Sequence, residues 1–185
     1  MKRLLKYIPG KTPIVVVGLM GAGKTTLAHL LATALGRPVR DNDEDLSSRY
    51  GMTAAEMAAR HGPDVLHDRE AALLRSALAE HPAPVIAAAS GTVTHPKTRK
   101  ALNSAAVVFL DAPPDVLAER MLSGNHRPHH TPDLQRMLAE QRATRLPAFQ
   151  AIADFAFDVT TSPPERIAAA ILTALEGDAL KPRTV

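Results

Sequence analysis

The stretch Val15-Val16-Val17-Gly18-Leu19-Met20-Gly21-Ala22-Gly23-Lys24-Thr25-Thr26 decides the fold of this chain. An apolar, β-branched run ends at a glycine, and the pattern G-x-x-x-x-G-K-T follows from Gly18 to Thr25 before apolar residues recur at helical spacing. This order predicts a strand, a phosphate-binding loop and a helix. Glycines at 18, 21 and 23 allow phosphate oxygens to approach the backbone, because a Cβ atom would obstruct them.

The helix after this loop is expected to add positive charge at the same place. The loop N–H groups and the N-terminal end of the helix favour an anion there, and Lys24 adds a mobile cation. The hydroxyl of Thr25 is a candidate ligand for Mg²⁺. A chance glycine-rich turn is the alternative, but the loop, the Lys-Thr pair and both flanking elements agree with one another. The loop by itself specifies a nucleotide-binding protein and no more.

Composition restricts the class of protein further. The 185 residues, with 45% hydrophobic and 22% charged residues, suit one α/β domain over residues 1–185. No apolar run approaches the roughly 20 residues that span a bilayer, and the basic start is too short for a signal peptide, so we expect a cytoplasmic protein without a membrane segment. The absence of cysteine excludes disulfides and thiolate metal sites. A net charge of +3 with 3% aromatic residues favours a small phosphorylated ligand over nucleic acid.

Periodicity predicts strands that alternate with helices. The strands are expected at 14–17, 38–41, 85–88, 106–110 and 155–159, and the helices at about 27–35, 53–58, 64–78, 96–102, 116–122, 134–145 and 164–175. Such alternation predicts a parallel sheet with helices on both faces. Residues 1–12 are expected to form a loose leader, 177–185 a frayed tail, and the polar segment 123–132 a lid.

The triplet Asp41-Asn42-Asp43 comes at the end of the second predicted strand. On an extended segment, Asp41 and Asp43 would point the same way, one beside Mg²⁺ and the other toward a substrate hydroxyl. The alternative is a helix N-cap, for which Asp and Asn are both suited. By composition alone the triplet favours the cap, and its position after the second strand of a phosphate-loop protein favours function.

Ordered motifs over about residues 13–175 resemble the shikimate kinase family. The segments that carry this resemblance are 18–26, Asp41-Asn42-Asp43, Gly51-Met52-Thr53, His61-Gly62, Asp68-Arg69-Glu70, Leu110-Asp111-Ala112-Pro113-Pro114, Ala118-Glu119-Arg120, Arg127-Pro128, and Arg145-Leu146-Pro147-Ala148-Phe149 with Ala153-Asp154. The ordered set is far more specific than the phosphate loop alone.

The resemblance implies a three-layer α/β/α P-loop kinase fold. Its five-stranded parallel sheet would have the order 2-3-1-4-5, with acceptor-binding helices at about 44–78 and a lid at about 123–132. The implied activity is ATP-dependent and Mg²⁺-dependent phosphorylation of a ring hydroxyl, with shikimate as the first candidate, in aromatic amino acid biosynthesis. We expect a hydroxylated small molecule as the acceptor and a monomeric protein.

The resemblance also implies roles for individual residues. Catalytic roles fall on Lys24, Asp43 and Arg127, and metal binding falls on Thr25 and Asp41. The nucleotide would contact Gly18, Gly21, Ala22, Gly23, Lys24, Thr25 and Thr26, with Arg120 and Pro163 or Pro164 on either side of the adenine. The acceptor would contact Asp43, His67, Ser90, Gly91 and Arg145.

Two departures from the family pattern fall in the acceptor site. The family has Phe-Arg where this chain has Leu66-His67, and three glycines where it has Ala89-Ser90-Gly91. A histidine is mostly neutral near pH 7 and cannot form a fork with a carboxylate. Losing one charge-assisted contact weakens binding about ten- to a hundredfold.

These departures leave several hypotheses open. The chain is a shikimate kinase with compensation from Arg69, Arg75 or Arg142, or a sister kinase for another cyclitol, polyol or aminated ring. A regulator that binds nucleotide without transfer is a third hypothesis, which the retained Lys24 and Asp43 disfavour. Glu70 is expected to pair with Arg69 or Arg75 at the rim of the core, not to act in catalysis. The lid histidines at 126, 129 and 130 are expected to tune lid charge below about pH 6.5 rather than to bind metal.

Overall fold

The computed structural model describes residues 7–123 and 133–179 and contains a five-stranded parallel sheet. The strands are β1 (Ile14–Gly18), β2 (Val39–Asp41), β3 (Val85–Ala87), β4 (Ala106–Asp111) and β5 (Phe155–Asp158). They lie in the order β2-β3-β1-β4-β5, and each neighbouring pair is parallel. The predicted sheet and its strand order are therefore confirmed.

Helices connect the strands and complete the three-layer α/β/α fold. They are α1 (Lys24–Leu35), α2 (Asn42–Tyr50), α3 (Ala54–His61), α4 (Pro63–Leu78), α5 (Pro96–Ala101), α6 (Pro114–Ser123), α7 (Leu134–Ile152) and α8 (Pro164–Ala179). Among the described residues, none of these helices is both long enough and apolar enough to cross a membrane. Of the lid predicted at 123–132, Ser123 is the last residue of α6, and residues 124–132 lie outside the described residues.

The helices α7 and α8 extend furthest beyond their predicted C-terminal ends. The sequence indicates that α7 ends near Arg145, but α7 continues through Pro147 to Ile152, because Phe149 is buried and stacks on Phe109 with 4.9 Å between ring centroids. The predicted tail from Gly177 is wrong for its first three residues, since α8 runs to Ala179. One glycine in a helix costs only about 1 kcal/mol, which the packing of a four-turn helix outweighs.

The hydrophobic core has two parts, one around the sheet and one among the helices predicted to bind the acceptor. The main cluster surrounds β1, whose apolar residues 14–17 are at most 1% exposed between β3 and β4. A second, smaller cluster joins α2, α3 and α4 through the side chains of Leu46, Met57, Leu66 and Leu73. The helices predicted to bind the acceptor therefore have an apolar core of their own.

The junction between β2 and α2 fixes the position of the acidic triplet. Asp41 ends β2 and is the N-cap of α2, where its Oδ1 accepts a hydrogen bond of 2.9 Å from the N–H of Asp43. The extended placement expected for Asp43 is wrong, because Asp43 lies in the first turn of α2. The cap interpretation of the triplet is correct, and it does not exclude a role in a site, since Asp43 still faces the cavity described below.

The cap at Asp41 can be tested separately from the charge of its side chain. Asp41→Ala removes the cap, and we expect it to lower the free energy of unfolding by about 1–2 kcal/mol, as other N-cap deletions do. Asp41→Asn keeps a good capping side chain, so we expect a loss of only a few tenths of a kcal/mol. Urea unfolding of both variants measures the difference. Equal destabilisation by the two variants would mean that the cap is not what Asp41 contributes.

Candidate active site

The phosphate loop is shaped by two close backbone contacts. Gly18 has a φ of +150°, and a Cβ atom added there would lie 2.5 Å from the carbonyl oxygen of Leu110. Gly21 has a φ of +78°, and its Cβ would lie 2.8 Å from the carbonyl oxygen of Leu117. Since these contacts leave no room for a side chain, glycine is required at both positions. The first turn of α1 contains no acidic residue, so its positive end remains available to an anion.

The polar side chains of the loop are held close to the β2–α2 junction. Lys24 Nζ donates a hydrogen bond of 3.0 Å to the carbonyl of Leu19. The hydroxyl of Thr25 donates to Asp41 Oδ2 at 2.6 Å. A hydroxyl and a carboxylate are the oxygen donors that Mg²⁺ prefers. Among the described residues, no group of three or more His, Cys, Asp or Glu side chains could hold a metal, so phosphates and water would have to complete the coordination.

One cavity of about 840 Å³ runs from this loop to α4 and α7. It brings together twelve of the residues that the sequence predicts for the site: Gly21, Gly23, Lys24, Thr25, Thr26, Asp41, Asp43, His67, Ser90, Gly91, Arg120 and Arg145. The phosphate loop and the acceptor helices thus face a common space. A nucleotide and a small acceptor are able to meet there.

The other predicted residues do not line this cavity. Gly18 and Ala22 are buried beneath the loop, where they shape it. Pro163 and Pro164 are outside the lining too, although Arg120 donates hydrogen bonds to the carbonyls of Val159 and Thr160 just before them. Arg127 and the lid histidines lie outside the described residues.

Arg145 is the cation at the acceptor end of the cavity. It donates hydrogen bonds to Ser90 Oγ at 2.7 Å and to Gln141 Oε1 at 3.1 Å, so the serine that departs from the family pattern helps to orient it. Burial lowers the pKa of Arg145, and the nearby carboxyl of Glu70 opposes this effect. A guanidinium nevertheless stays protonated at neutral pH.

Two of the three arginines expected to compensate for the missing family arginine are engaged elsewhere. Arg142 forms a two-pronged ion pair with Asp111, at 2.6 Å and 3.2 Å. The guanidinium of Arg69 lies 4.5 Å from the centre of the Tyr50 ring. Arg69, Arg75 and Arg142 are all absent from the lining of the cavity. Compensation by these three side chains is therefore not seen in this structure.

Glu70 is the residue of the site that the sequence-based interpretation misjudged. Its expected pairing with Arg69 or Arg75 is wrong, because the side chain faces the cavity and its buried Oε2 has no hydrogen-bond partner among the described residues. Burial first, and then the charge of Asp43, raise the pKa of Glu70 to about 7. The spacing of three residues from His67 on one helix would have placed both on one face and was the available signal.

His67 occupies the place of the family's arginine without its charge. Burial and the positive charge of Arg145 both lower the pKa of His67 below its ordinary value, so the imidazole is neutral at pH 7, as the sequence predicts. A methyl group added to Gly91 would lie 2.8 Å from the Cδ2 atom of this ring. The imidazole therefore packs directly on the Ser90-Gly91 segment.

Comparison with known proteins identifies the family. The family model described as shikimate kinase matches residues 20–176. The chain is 32% identical over 164 residues to the shikimate kinase of Pseudomonas syringae pv. tomato. The matched region covers 88% of this chain and 95% of that protein. It is 34% identical to the shikimate kinase of Caulobacter vibrioides, over 88% of this chain and 81% of that one.

A solved structure agrees with this match. Shikimate kinase from Acinetobacter baumannii, in complex with shikimate, superposes with a TM-score of 0.86 at 26% identity. The superposition covers 94% of this chain and 97% of that one. With a phosphate loop and an acceptor pocket facing one cavity, this chain belongs to the shikimate kinase family and is a kinase that phosphorylates a hydroxyl group.

Proposed function

We propose that this chain transfers the γ-phosphoryl group of ATP to a ring hydroxyl of shikimate, with Mg²⁺ as the metal. The observation that carries the proposal is the shared cavity, in which Lys24, Asp43 and Arg145 all take part in the lining. This set contains a cation for phosphate, a carboxylate for the acceptor hydroxyl and a cation for the acceptor carboxylate. The bound shikimate in the similar Acinetobacter baumannii enzyme supports the choice of acceptor.

The nucleotide end binds and neutralises phosphate. The N–H groups of the loop and the N-terminal end of α1 bind the phosphates, and Lys24 follows the transferring group as a point charge. Arg120 is proposed to contact the adenine, with Pro163 or Pro164 opposite. Arg127, outside the described residues, is predicted to add positive charge at the transferring phosphoryl group.

Thr25 and Asp41 are proposed to hold the metal. Their hydroxyl and carboxylate lie 2.6 Å apart at the loop, and oxygen donors of this kind fit Mg²⁺. When bound, Mg²⁺ neutralises charge on the phosphate oxygens during transfer. Asp41 is only 6% exposed, so its carboxylate is fixed before any ligand arrives.

Asp43 is proposed to receive the proton of the acceptor hydroxyl. As this hydroxyl oxygen attacks the γ-phosphorus, its O–H bond breaks and the bond between the β–γ bridging oxygen and phosphorus opens, which releases ADP. The N-cap hydrogen bond, which the N–H of Asp43 donates to Asp41 Oδ1, fixes the backbone of Asp43 within the first turn of α2. The acceptor carboxylate is proposed to pair with Arg145, which Ser90 and Gln141 orient.

A kinase for another cyclic polyol is the second candidate. A specific observation favours it: the position of the family arginine holds a neutral His67, and the carboxyl of Glu70 nearby has an unpartnered oxygen. The acceptor end thus offers less positive charge to a carboxylate than the family pattern does. The proposal also includes a monomeric, cytoplasmic enzyme, since the described residues of a single chain bring the phosphate loop and the acceptor helices to one cavity.

The proposed function is tested by ADP release in a coupled assay with shikimate, quinate, aminoshikimate, inositols and simple sugars. We expect shikimate to give the highest kcat/KM.

Asp43→Asn should lower kcat about a hundredfold or more, because the proton acceptor is lost, while the affinity for Mg-ATP changes little. Asp115→Asn, an exposed position on α6, is the matched control and should keep full activity. Release of ADP with a different acceptor would support the second candidate, and normal turnover by Asp43→Asn would remove Asp43 from the mechanism.

The site of the acceptor carboxylate is tested by His67→Arg. An arginine at this position would add a charge-assisted contact, so we expect the KM for shikimate to fall about tenfold. His61→Arg, on an exposed position at the end of α3, is the matched control and should leave KM unchanged. An unchanged KM in His67→Arg would show that the carboxylate does not bind near α4.

A further inference from the structure

We propose that Glu70 determines how well the acceptor site binds a negatively charged ring. Its inward-facing carboxyl group accepts a hydrogen bond from a donor of the bound ring and disfavours a second negative charge beside Arg145. This inference rests on the proposed function and deepens it. The acceptor that fits is then a polyhydroxylated ring, such as shikimate, that offers a hydrogen-bond donor to Glu70 near α4. A ring with a carboxylate at that place is accepted at a cost that Glu70 determines.

The first support is the position of the carboxyl group. Glu70 is 5% exposed, it lines the cavity, and its Oε2 is buried with no hydrogen-bond partner among the described residues. A methyl group placed on Gly91 would lie 3.2 Å from this oxygen and 2.9 Å from His67 Nε2. The carboxyl and the imidazole therefore border the same short segment, whose Ser90 is bonded to Arg145.

The second support is the free-energy cost of leaving this buried carboxyl oxygen without a hydrogen bond. A buried polar oxygen without a hydrogen bond destabilises a fold, and native proteins seldom leave one in that state. A glutamate with a purely structural role at this depth would be expected to have an internal partner. Among the described residues, the hydrogen bond that Glu70 forms beyond its own helix uses the backbone: its carbonyl accepts from the side-chain amide of Asn42 at 2.9 Å. The side chain instead faces the space where a ligand donor would satisfy it.

The third support is the balance of charges around Glu70. Asp43 faces it from α2, Lys24 from the phosphate loop, Arg145 from α7, and the neutral His67 from α4 itself. The phosphates of the nucleotide would engage Lys24. Among the described residues, Arg145 then remains as the cation against Asp43 and Glu70, so an anionic acceptor adds negative charge to a group of side chains that already has an excess of it.

The charge of Glu70 changes within the working pH range of an enzyme. With a pKa of about 7, the carboxyl is mostly neutral at pH 6.5 and mostly ionised at pH 8.5. A carboxylate acceptor should therefore bind less well as the pH rises, whereas an uncharged acceptor should not respond. The pKa of His67 is lowered from 6.5, so this imidazole stays neutral over the same range and does not contribute.

The experiment compares shikimate with its methyl ester, which has the same ring hydroxyls and no charge. The measured quantity is the ratio of their kcat/KM values from pH 6.5 to 8.5. Effects of pH on ATP, on Lys24 or on Asp43 act on both acceptors and cancel in this ratio. For the wild-type protein we expect the ratio of shikimate to ester to fall about fivefold or more across the range.

Glu70→Gln should remove this dependence. The amide has the size of the carboxyl and no charge, so we expect a ratio that is flat with pH and at least as high as the wild-type value at pH 6.5. Glu140→Gln is the matched control, because Glu140 is exposed on α7 and pairs only with Arg136 among the described residues. It should give the wild-type profile. Thermal unfolding and Mg-ATP binding of each variant report on folding.

Two results would overturn the proposal. One is a wild-type ratio that does not change with pH, a result that requires no variant and so does not depend on the folding of Glu70→Gln. The other is a folded Glu70→Gln protein that retains the wild-type pH dependence. Absence of ADP release with every acceptor would instead count against the proposed function, which distinguishes the two failures.

Discussion

The two carboxylate oxygens of Asp41 hold the two halves of the site together. Oδ1 accepts from the N–H of Asp43 at 2.9 Å and begins α2, while Oδ2 accepts from the hydroxyl of Thr25 at 2.6 Å in the phosphate loop. The acceptor helices have a small core of their own, so this buried side chain is a direct link between them and the loop. The distance between the phosphate loop and Asp43, the proposed proton acceptor, follows from this link.

The cavity that results is positive at the nucleotide end and carries no net positive charge at the acceptor end. The nucleotide end combines Lys24 with the uncompensated N-terminus of α1. At the acceptor end, Arg145 faces the carboxyl of Glu70, and the imidazole of His67 is neutral. Arg142 is held away by Asp111 and adds nothing to this balance. The nucleotide end thus keeps the residue types of the family pattern, while the acceptor end has a different distribution of charge.

Most of the fold could be predicted because the relevant signals are local. A β-branched run before a glycine-rich loop indicates a buried strand, and the spacing of leucines and caps indicates helices. The errors occur where packing overrides local preference. Asp43 is in a helix because Asp41 caps it, and α7 passes Pro147 because Phe149 is buried against Phe109. The stacking of Phe149 on Phe109 cannot be read from the residues around Pro147, whereas the cap at Asp41 is a local signal that the sequence offers as an alternative.

The sequence by itself determined the phosphate loop, the strand order through family resemblance, and the identity of most residues around the cavity. These features depend on residue types at fixed spacing, which sequence records directly. Only the tertiary structure decided that Glu70 faces the cavity and does not pair with Arg69 or Arg75, and that Ser90 orients Arg145. Charge pairing and burial depend on distances between elements far apart in the chain, such as α4, α7 and the segment after β3, and a single sequence does not contain those distances.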